Sequence, residues 1–175
     1  ELDPDIVIMQ DSGQPMREEF EELGVDARYP YREFFPREGT SSCGIQIYSK
    51  QPTERVDIGV PEQAAVTTEI GSTQVLVLAT DIATPTKDLG AWKAELAGLS
   101  DVAAAAELPV IVVGDFNAVA EHFPVRRMLE EAHLHEVTSG LGWFPTFDAA
   151  REPGALIQID HVLASPAITA SRAEA

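Results

Sequence analysis

The chain has 175 residues, 45% hydrophobic and 23% charged, the length and composition of one soluble globular domain with a substantial core rather than a disordered segment. No apolar run approaches the roughly 18 residues that a membrane helix requires. The formal charge is −17, from 29 acids against 12 bases, which argues against tight sequence-independent binding to a nucleic-acid backbone because such binding depends on Lys and Arg releasing counterions; the same excess also serves plain solubility.

The opening Glu1-Leu-Asp-Pro4 has no basic n-region, so no secretory signal is visible. Asp5 to Gln10 is a continuous apolar run and reads as a buried strand. Ser12 then looks like an N-cap, with Met16, Phe20 and Leu23 at helical spacing and Gly24 as a stop. Acids occupy the other face of this helix; the first 26 residues hold nine acids and Arg17 as the sole base. Cys43 is the one cysteine; it excludes an intrachain disulfide and a thiolate zinc cluster, reads as a small core or loop residue, and leaves the compartment open. Gly44 to Lys50 alternates with period two, placing Ile45 and Ile47 on one face of a strand that Pro52 ends.

Thr73 to Thr80 is a further strand. A helix is expected from near Asp88 through Leu89, Trp92, Leu96 and Leu99 into the alanines 103 to 106. Pro109 to Val113 is a fully apolar strand, and a helix starting near Pro124 puts Val125, Met128, Leu129 and Ala132 on one stripe. Ala155 to Ala164 is the last clear strand. Trp92 and Trp143 read as packing residues. At least five strands and three helices, several joined by hairpin-like or irregular connections, do not make a simple repeating βαβ unit and point to packed sheets with helices outside. No internal repeat, Walker A sequence or Gly-x-Gly-x-x-Gly motif is present.

Polar residues gather where strands end. In Leu108 to Asn117 an apolar strand runs straight into Gly114, Asp115 and Asn117. In extended backbone Asp115 and Asn117 face the same side while Phe116 turns inward. A carboxylate and a carboxamide there suit a site that orients a water and holds a phosphate oxygen; the same residues also make an ordinary turn. Asp160 interrupts the apolar run Leu156 to Ser165 and needs a His, an Arg, a metal or a structural salt bridge as partner. His161 falls on the opposite face of that strand, in a structural role. Asp11, after Gln10, is either a ligand for Mg²⁺ or the start of the next helix cap. Thr80-Asp81 is a fourth polar strand end. Such convergence is typical of an α/β active site.

Four blocks carry a family resemblance. Gly114-Asp-Phe-Asn117, followed about 40 residues later by Ile159-Asp-His-Val-Leu-Ala-Ser165, resembles the endonuclease/exonuclease/phosphatase superfamily. Pro4-Asp-Ile-Val-Ile-Met-Gln10 resembles its Pro-Asp-apolar-Gln-Glu strand, and Gly44-Ile-Gln-Ile-Tyr-Ser-Lys-Gln-Pro52 its Gly-apolar-Ser-Arg-x-Pro strand. The blocks keep family order across most of residues 3 to 166. The resemblance implies an α/β (α+β) fold, a four-layer α-β-β-α sandwich of two packed, mainly antiparallel sheets with outer helices. It also implies cleavage of phosphoester bonds with Mg²⁺ or Mn²⁺. Asp115 would orient or deprotonate the attacking water, Asn117 would hydrogen-bond the phosphate, Asp160 would orient a catalytic His, Asp11 would hold the metal and Asp81 would contact substrate.

Two positions depart from the family. Asp11 stands where it has Glu, and Asp81 where it has His; an Asp at the second repels phosphate unless protonated or metal-bound. The resemblance further implies that residues 1–175 form a single domain lacking the family's first strand, with its Asn, and its closing Ser-Asp-His. Sheet edges exposed in that way invite pairing into a homodimer. The acidic balance favours a phosphorylated small molecule or a phospholipid headgroup over long nucleic acid. The competing expectation is a member that has lost catalysis and serves as a binding or interaction module.

Overall fold

The computed structural model describes residues 3–37, 43–142, 144–147 and 157–173. Strand β1 (Ile6–Met9) leads into α1 (Gln14–Glu22) and the single turn α2 (Val25–Arg28). Then come β2 (Tyr31–Pro36), β3 (Gly44–Ser49), β4 (Thr53–Arg55), β5 (Ala64–Ile70) and β6 (Thr73–Asp81). Helix α3 (Leu89–Ala105), β7 (Val110–Asp115), α4 (Phe123–Glu131), β8 (His135–Glu136) and β9 (Asp160–Ala164) complete the order. Trp143 and residues 155–156 of the expected last strand lie outside the described residues.

Two sheets form. The smaller runs β1-β3-β2 and is antiparallel throughout; the larger runs β4-β5-β6-β7-β9-β8. In the larger sheet only β6 and β7 are parallel, and the long helix α3 supplies the crossover that a parallel pair demands. Burial follows from this layering. On β6, Val75, Val77 and Ala79 face the small sheet and pack with Ile45, Ile47, Ala64 and Val66. The alternate residues Leu76 and Leu78 face the helices and pack with Trp92, Leu96, Leu99, Val125 and Met128. β3 is buried along its whole length because it is the central strand of its sheet with a covered layer on each face.

The N-terminal helix departs from expectation. Ser12 does not cap it: Gly13 is the N-cap, without a side-chain hydrogen bond, and buried Ser12 donates its hydroxyl to the carbonyls of Met9 and Gly44. α1 has no buried residue, and Met16 and Leu23 are exposed. Phe20 packs on the small sheet, its ring centroid 5.6 Å from that of Tyr48, and Arg17 lies over the Phe34 ring at 5.2 Å. By contrast α3 begins as its sequence suggests, with the Asp88 carboxylate accepting from the Ala91 N–H at 2.9 Å.

Candidate active site

Pairing register builds the site. Asp81 on β6 lies opposite Asp115 on β7, and Asp115 opposite Asp160 on β9. Directly paired residues point to the same face of a sheet, so three carboxylates stand in a row at one end of the sandwich, on the face turned to the small sheet. Gln10, just past the end of β1, crosses to the larger sheet and donates to the Thr80 carbonyl at 3.4 Å. Gly114 permits this approach. Its φ is +137°, and a Cβ there would lie 2.1 Å from the Thr80 carbonyl oxygen and 2.5 Å from Gln10 Nε2.

The Gly-Asp-Phe-Asn segment is both strand end and turn. β7 stops at Asp115, buried Phe116 anchors the turn, and Asn117 takes a left-handed φ of 45°, a conformation Asn tolerates better than most residues. Trp92 is the packing residue its position suggests, and its indole N–H also donates to the Phe116 carbonyl at 3.1 Å. The turn folds Asn117 back onto Asp115. Its backbone N–H donates to Asp115 Oδ1 at 2.7 Å, and its Nδ2 donates to Asp115 Oδ2 at 3.2 Å and to the Ile82 carbonyl at 2.8 Å. Both Nδ2 hydrogens are therefore committed. As placed, Asn117 positions Asp115, and a contact from its side chain to a phosphate oxygen would require the amide to exchange one of these acceptors.

Asp115 is half-buried, and its pKa is pushed up from 3.8 to about 6. Burial is the main cause, opposed by the Asn117 N–H and reinforced by the charges of Asp160, Asp81 and Asp11. Asp160 thus acts on Asp115 by proximity. Its own carboxylate makes no hydrogen bond or ion pair among the described residues, including to any histidine, so the expected His partner is absent from them. His161 faces the helices. Buried, it places Nδ1 2.6 Å from Glu136 Oε2 and Nε2 2.8 Å from the Ala118 carbonyl. Burial works against its charge, but these two acceptors hold its pKa above the ordinary value.

The rim of the site contains residues that sequence patterns did not single out. Arg37, just after β2, gives Nη1 to Asp11 at 3.2 Å, Nε to Glu62 at 3.3 Å and Nη2 to Asp81. Burial acts to lower the Arg37 pKa, and the carboxylates of Asp81, Asp11 and Glu62 together hold it above the ordinary value. For Asp81 burial prevails, and its pKa is raised despite the Arg37 charge. Behind this rim, Gln63 Oε1 accepts from the Thr80 hydroxyl and the Asp81 N–H, while Gln63 Nε2 donates to Glu95 at 3.3 Å. Glu95 also accepts from the Ala83 N–H at 2.9 Å, and burial raises its pKa. Positive φ at Glu62 (61°) and Asp11 (48°) is the one local trace these residues leave, visible only in three dimensions.

The sequence model described as the Endonuclease/Exonuclease/phosphatase family matches residues 1–175. The chain belongs to that family. Its members are generally phosphoester hydrolases, typically dependent on a divalent metal. No curated protein matches the chain by sequence. Among solved structures, a Staphylococcus aureus beta toxin variant with bound magnesium ions is similar with a TM-score of 0.65 and 16% identity, over 93% of this chain and 71% of that one. Sphingomyelinase C from Streptomyces griseocarneus gives 0.61 and 18%, over 93% and 71%. D. rerio TDP2 complexed with single-strand DNA product gives 0.66 and 14%, over 95% and 74%. Identities this low speak for the fold alone, the sandwich of two packed sheets found in this family member.

The donor set can be weighed for a divalent ion. Among the described residues no three acidic or imidazole groups come together around one ion position. Mg²⁺ does not require that: it is commonly held by one or two carboxylates, with water and substrate phosphate completing its octahedron. The guanidinium of Arg37 marks where a cation is drawn, between Asp11, Glu62 and Asp81. These donors are carboxylate oxygens, the ligand type that Mg²⁺ and Mn²⁺ take, spread over the three nitrogens of one guanidinium. Asp81, as a carboxylate already turned to a cation, would meet phosphate only across one.

Proposed function

We propose that this family member is a divalent-metal-dependent hydrolase of phosphoester bonds, acting on a small phosphodiester or monoester or on a phospholipid headgroup. The observation that carries the reading is the paired row Asp81, Asp115, Asp160, with Asp115 oriented by Asn117 and lifted to about 6. A general base is most useful when its pKa lies near working pH, and this one is ionised at neutrality yet basic enough to take a proton from an attacking water. Each Asp115 oxygen accepts one hydrogen bond from Asn117, which leaves lone pairs for that water.

In the proposed step, Asp115 removes the water proton as its oxygen attacks phosphorus, and the bond from phosphorus to the leaving oxygen breaks. Asp11 and Asp81 would hold Mg²⁺ or Mn²⁺. The bound metal would supply positive charge against the phosphate oxygens, without which three neighbouring carboxylates repel the substrate. Asp160 keeps the Asp115 proton affinity high. Asp160 would in addition orient a catalytic His.

Hydrolysis of bis-p-nitrophenyl phosphate, with Mg²⁺, Mn²⁺ or excess chelator, tests the reading. Its leaving group departs as a stable anion and needs no general acid. A metal-dependent rate is expected, rising with pH through about 6, and Asp115→Asn should lower it by about 100-fold or more. An Asp115→Asn rate equal to wild type would overturn the assignment of Asp115. The second reading is a family member that binds without turning over. It is favoured by Asp11 and Asp81 standing at the family's Glu and His positions with Arg37 closing them off. Absence of any metal-stimulated rate would favour it.

A further inference from the structure

We propose that Arg37 is an internal counter-cation that competes with the divalent metal for the carboxylates at the mouth of the site, so that metal binding and release of Arg37 are one event. The inference rests on the metal-dependent reading above and deepens it. Arg37 uses all three guanidinium nitrogens, each on a different carboxylate: Nη1 on Asp11, Nε on Glu62, Nη2 on Asp81. Those carboxylates come from the end of β1, the loop before β5 and the end of β6, so one side chain ties the rims of both sheets. The partners also differ in depth. The Asp11 side chain is 72% exposed, that of Asp81 only 9%. With so little solvent around it, ionised Asp81 is the carboxylate that depends most on a neighbouring cation.

A metal held by Asp11 and Asp81 would lie against the guanidinium that now pairs with one oxygen of each, and the two cations repel at that distance. The guanidinium must leave as the metal arrives. Once displaced, it presents a planar fork of donors beside the row of carboxylates, a geometry matched to two phosphate oxygens. Arg37 therefore closes the site to metal at rest and supplies the arm that recognises phosphate once metal is in place.

Competition lowers the apparent metal affinity by the fraction of time the ring is open. If Arg37 holds the ring about nine-tenths of the time, removing it tightens binding about tenfold. Mn²⁺ binding to the intact chain, followed by paramagnetic resonance of free Mn²⁺, reads this without turnover. Arg37→Ala is expected to bind Mn²⁺ about tenfold tighter than wild type or better. Arg127→Ala removes the same charge on α4, where Arg127 pairs with Glu131, and should change affinity less than about twofold. Arg37→Lys keeps the charge, but a single ammonium cannot serve three carboxylates; it is expected to bind Mn²⁺ with intermediate affinity and serves if the alanine variant fails to fold. Unchanged or weaker Mn²⁺ binding in a folded Arg37 variant, with wild type binding, overturns the competition alone. Failure of wild type and every variant to bind Mn²⁺ overturns both this inference and the metal-dependent reading.

Discussion

Burial that lifts the Asp115 carboxyl to about 6 also makes its ionised form a burden on the folded chain. An acid whose folded pKa exceeds its ordinary 3.8 holds its proton more tightly when folded. It therefore contributes stability that is fully present below about pH 3.8 and lost as pH rises through about 6. Asparagine cannot ionise and can keep accepting from the Asn117 N–H. Asp115→Asn should then melt a few degrees above wild type at pH 8 and level with it at pH 3.5, in paired thermal unfolding scans. Equal melting temperatures at pH 8 would show that the site does not strain Asp115. Gain of stability with loss of rate is the trade expected where a group is held for chemistry rather than for folding. The sequence exposes Asp115, Asn117 and Asp160 because each breaks an apolar run within a few residues. It hides Arg37, Glu62 and Glu95 because their partners lie far along the chain: Arg37 reaches Asp81 across 44 positions, and Gln63 reaches Glu95 across 32. Nothing in the local pattern distinguishes them from surface charges. Asn117 shows a subtler limit, since the left-handed turn that spends both its Nδ2 hydrogens is not implied by an extended spacing.

At the scale of elements, the tightest constraint lies between the two sheets at Gly114. A methyl group there would meet the Thr80 carbonyl in the adjacent strand and the Gln10 side chain arriving from the other sheet. Gly71, in the two-residue link between β5 and β6, also has positive φ, at 64°, but nothing lies within 4 Å of its Cβ position. Gly114→Ala is expected to cost about 3 kcal/mol or more, from strain plus the parting of β6 and β7. Gly71→Ala should cost about 1 kcal/mol, from the left-handed backbone alone. Urea unfolding of the two variants checks the ordering, and equal costs would mean that the close approach at Gly114 is not tight. Element legibility followed the same physics. β6, β7, α3 and α4 carry long apolar runs or stripes and are plain in the sequence. β5 (Ala-Ala-Val-Thr-Thr-Glu-Ile) and β2 (Tyr-Arg-Glu-Phe-Phe-Pro) are not, because short, polar or Pro-bounded strands gain their stability from neighbours. α1 shows the reverse error: its apolar spacing suggests burial, yet the layer it covers leaves it exposed.

For the molecule as a whole, the division into two sheets with separate cores is not written in any one periodicity. It emerges when β6 and β7 are found to bury both faces, one against the small sheet and one against α3 and α4. The family resemblance anticipated that architecture; strand patterns alone gave only packed sheets with outer helices. Net charge then bears on what such a sandwich can meet. With −17 overall and Asp11, Asp81, Asp115 and Asp160 gathered at one end, a polyanion is repelled both at long range and at the site. A small phosphoester carries few charges, and one metal ion offsets much of the local field. Duplex DNA is therefore expected to bind more weakly than about 10⁻⁴ M, the weak limit of ordinary sequence-independent association at physiological salt. Fluorescence anisotropy of a labelled duplex, with Mg²⁺ present and the salt held near physiological, measures it. Micromolar binding that weakens steeply with added salt would reveal a basic surface that the charge balance conceals and would move the substrate from a small phosphoester to nucleic acid.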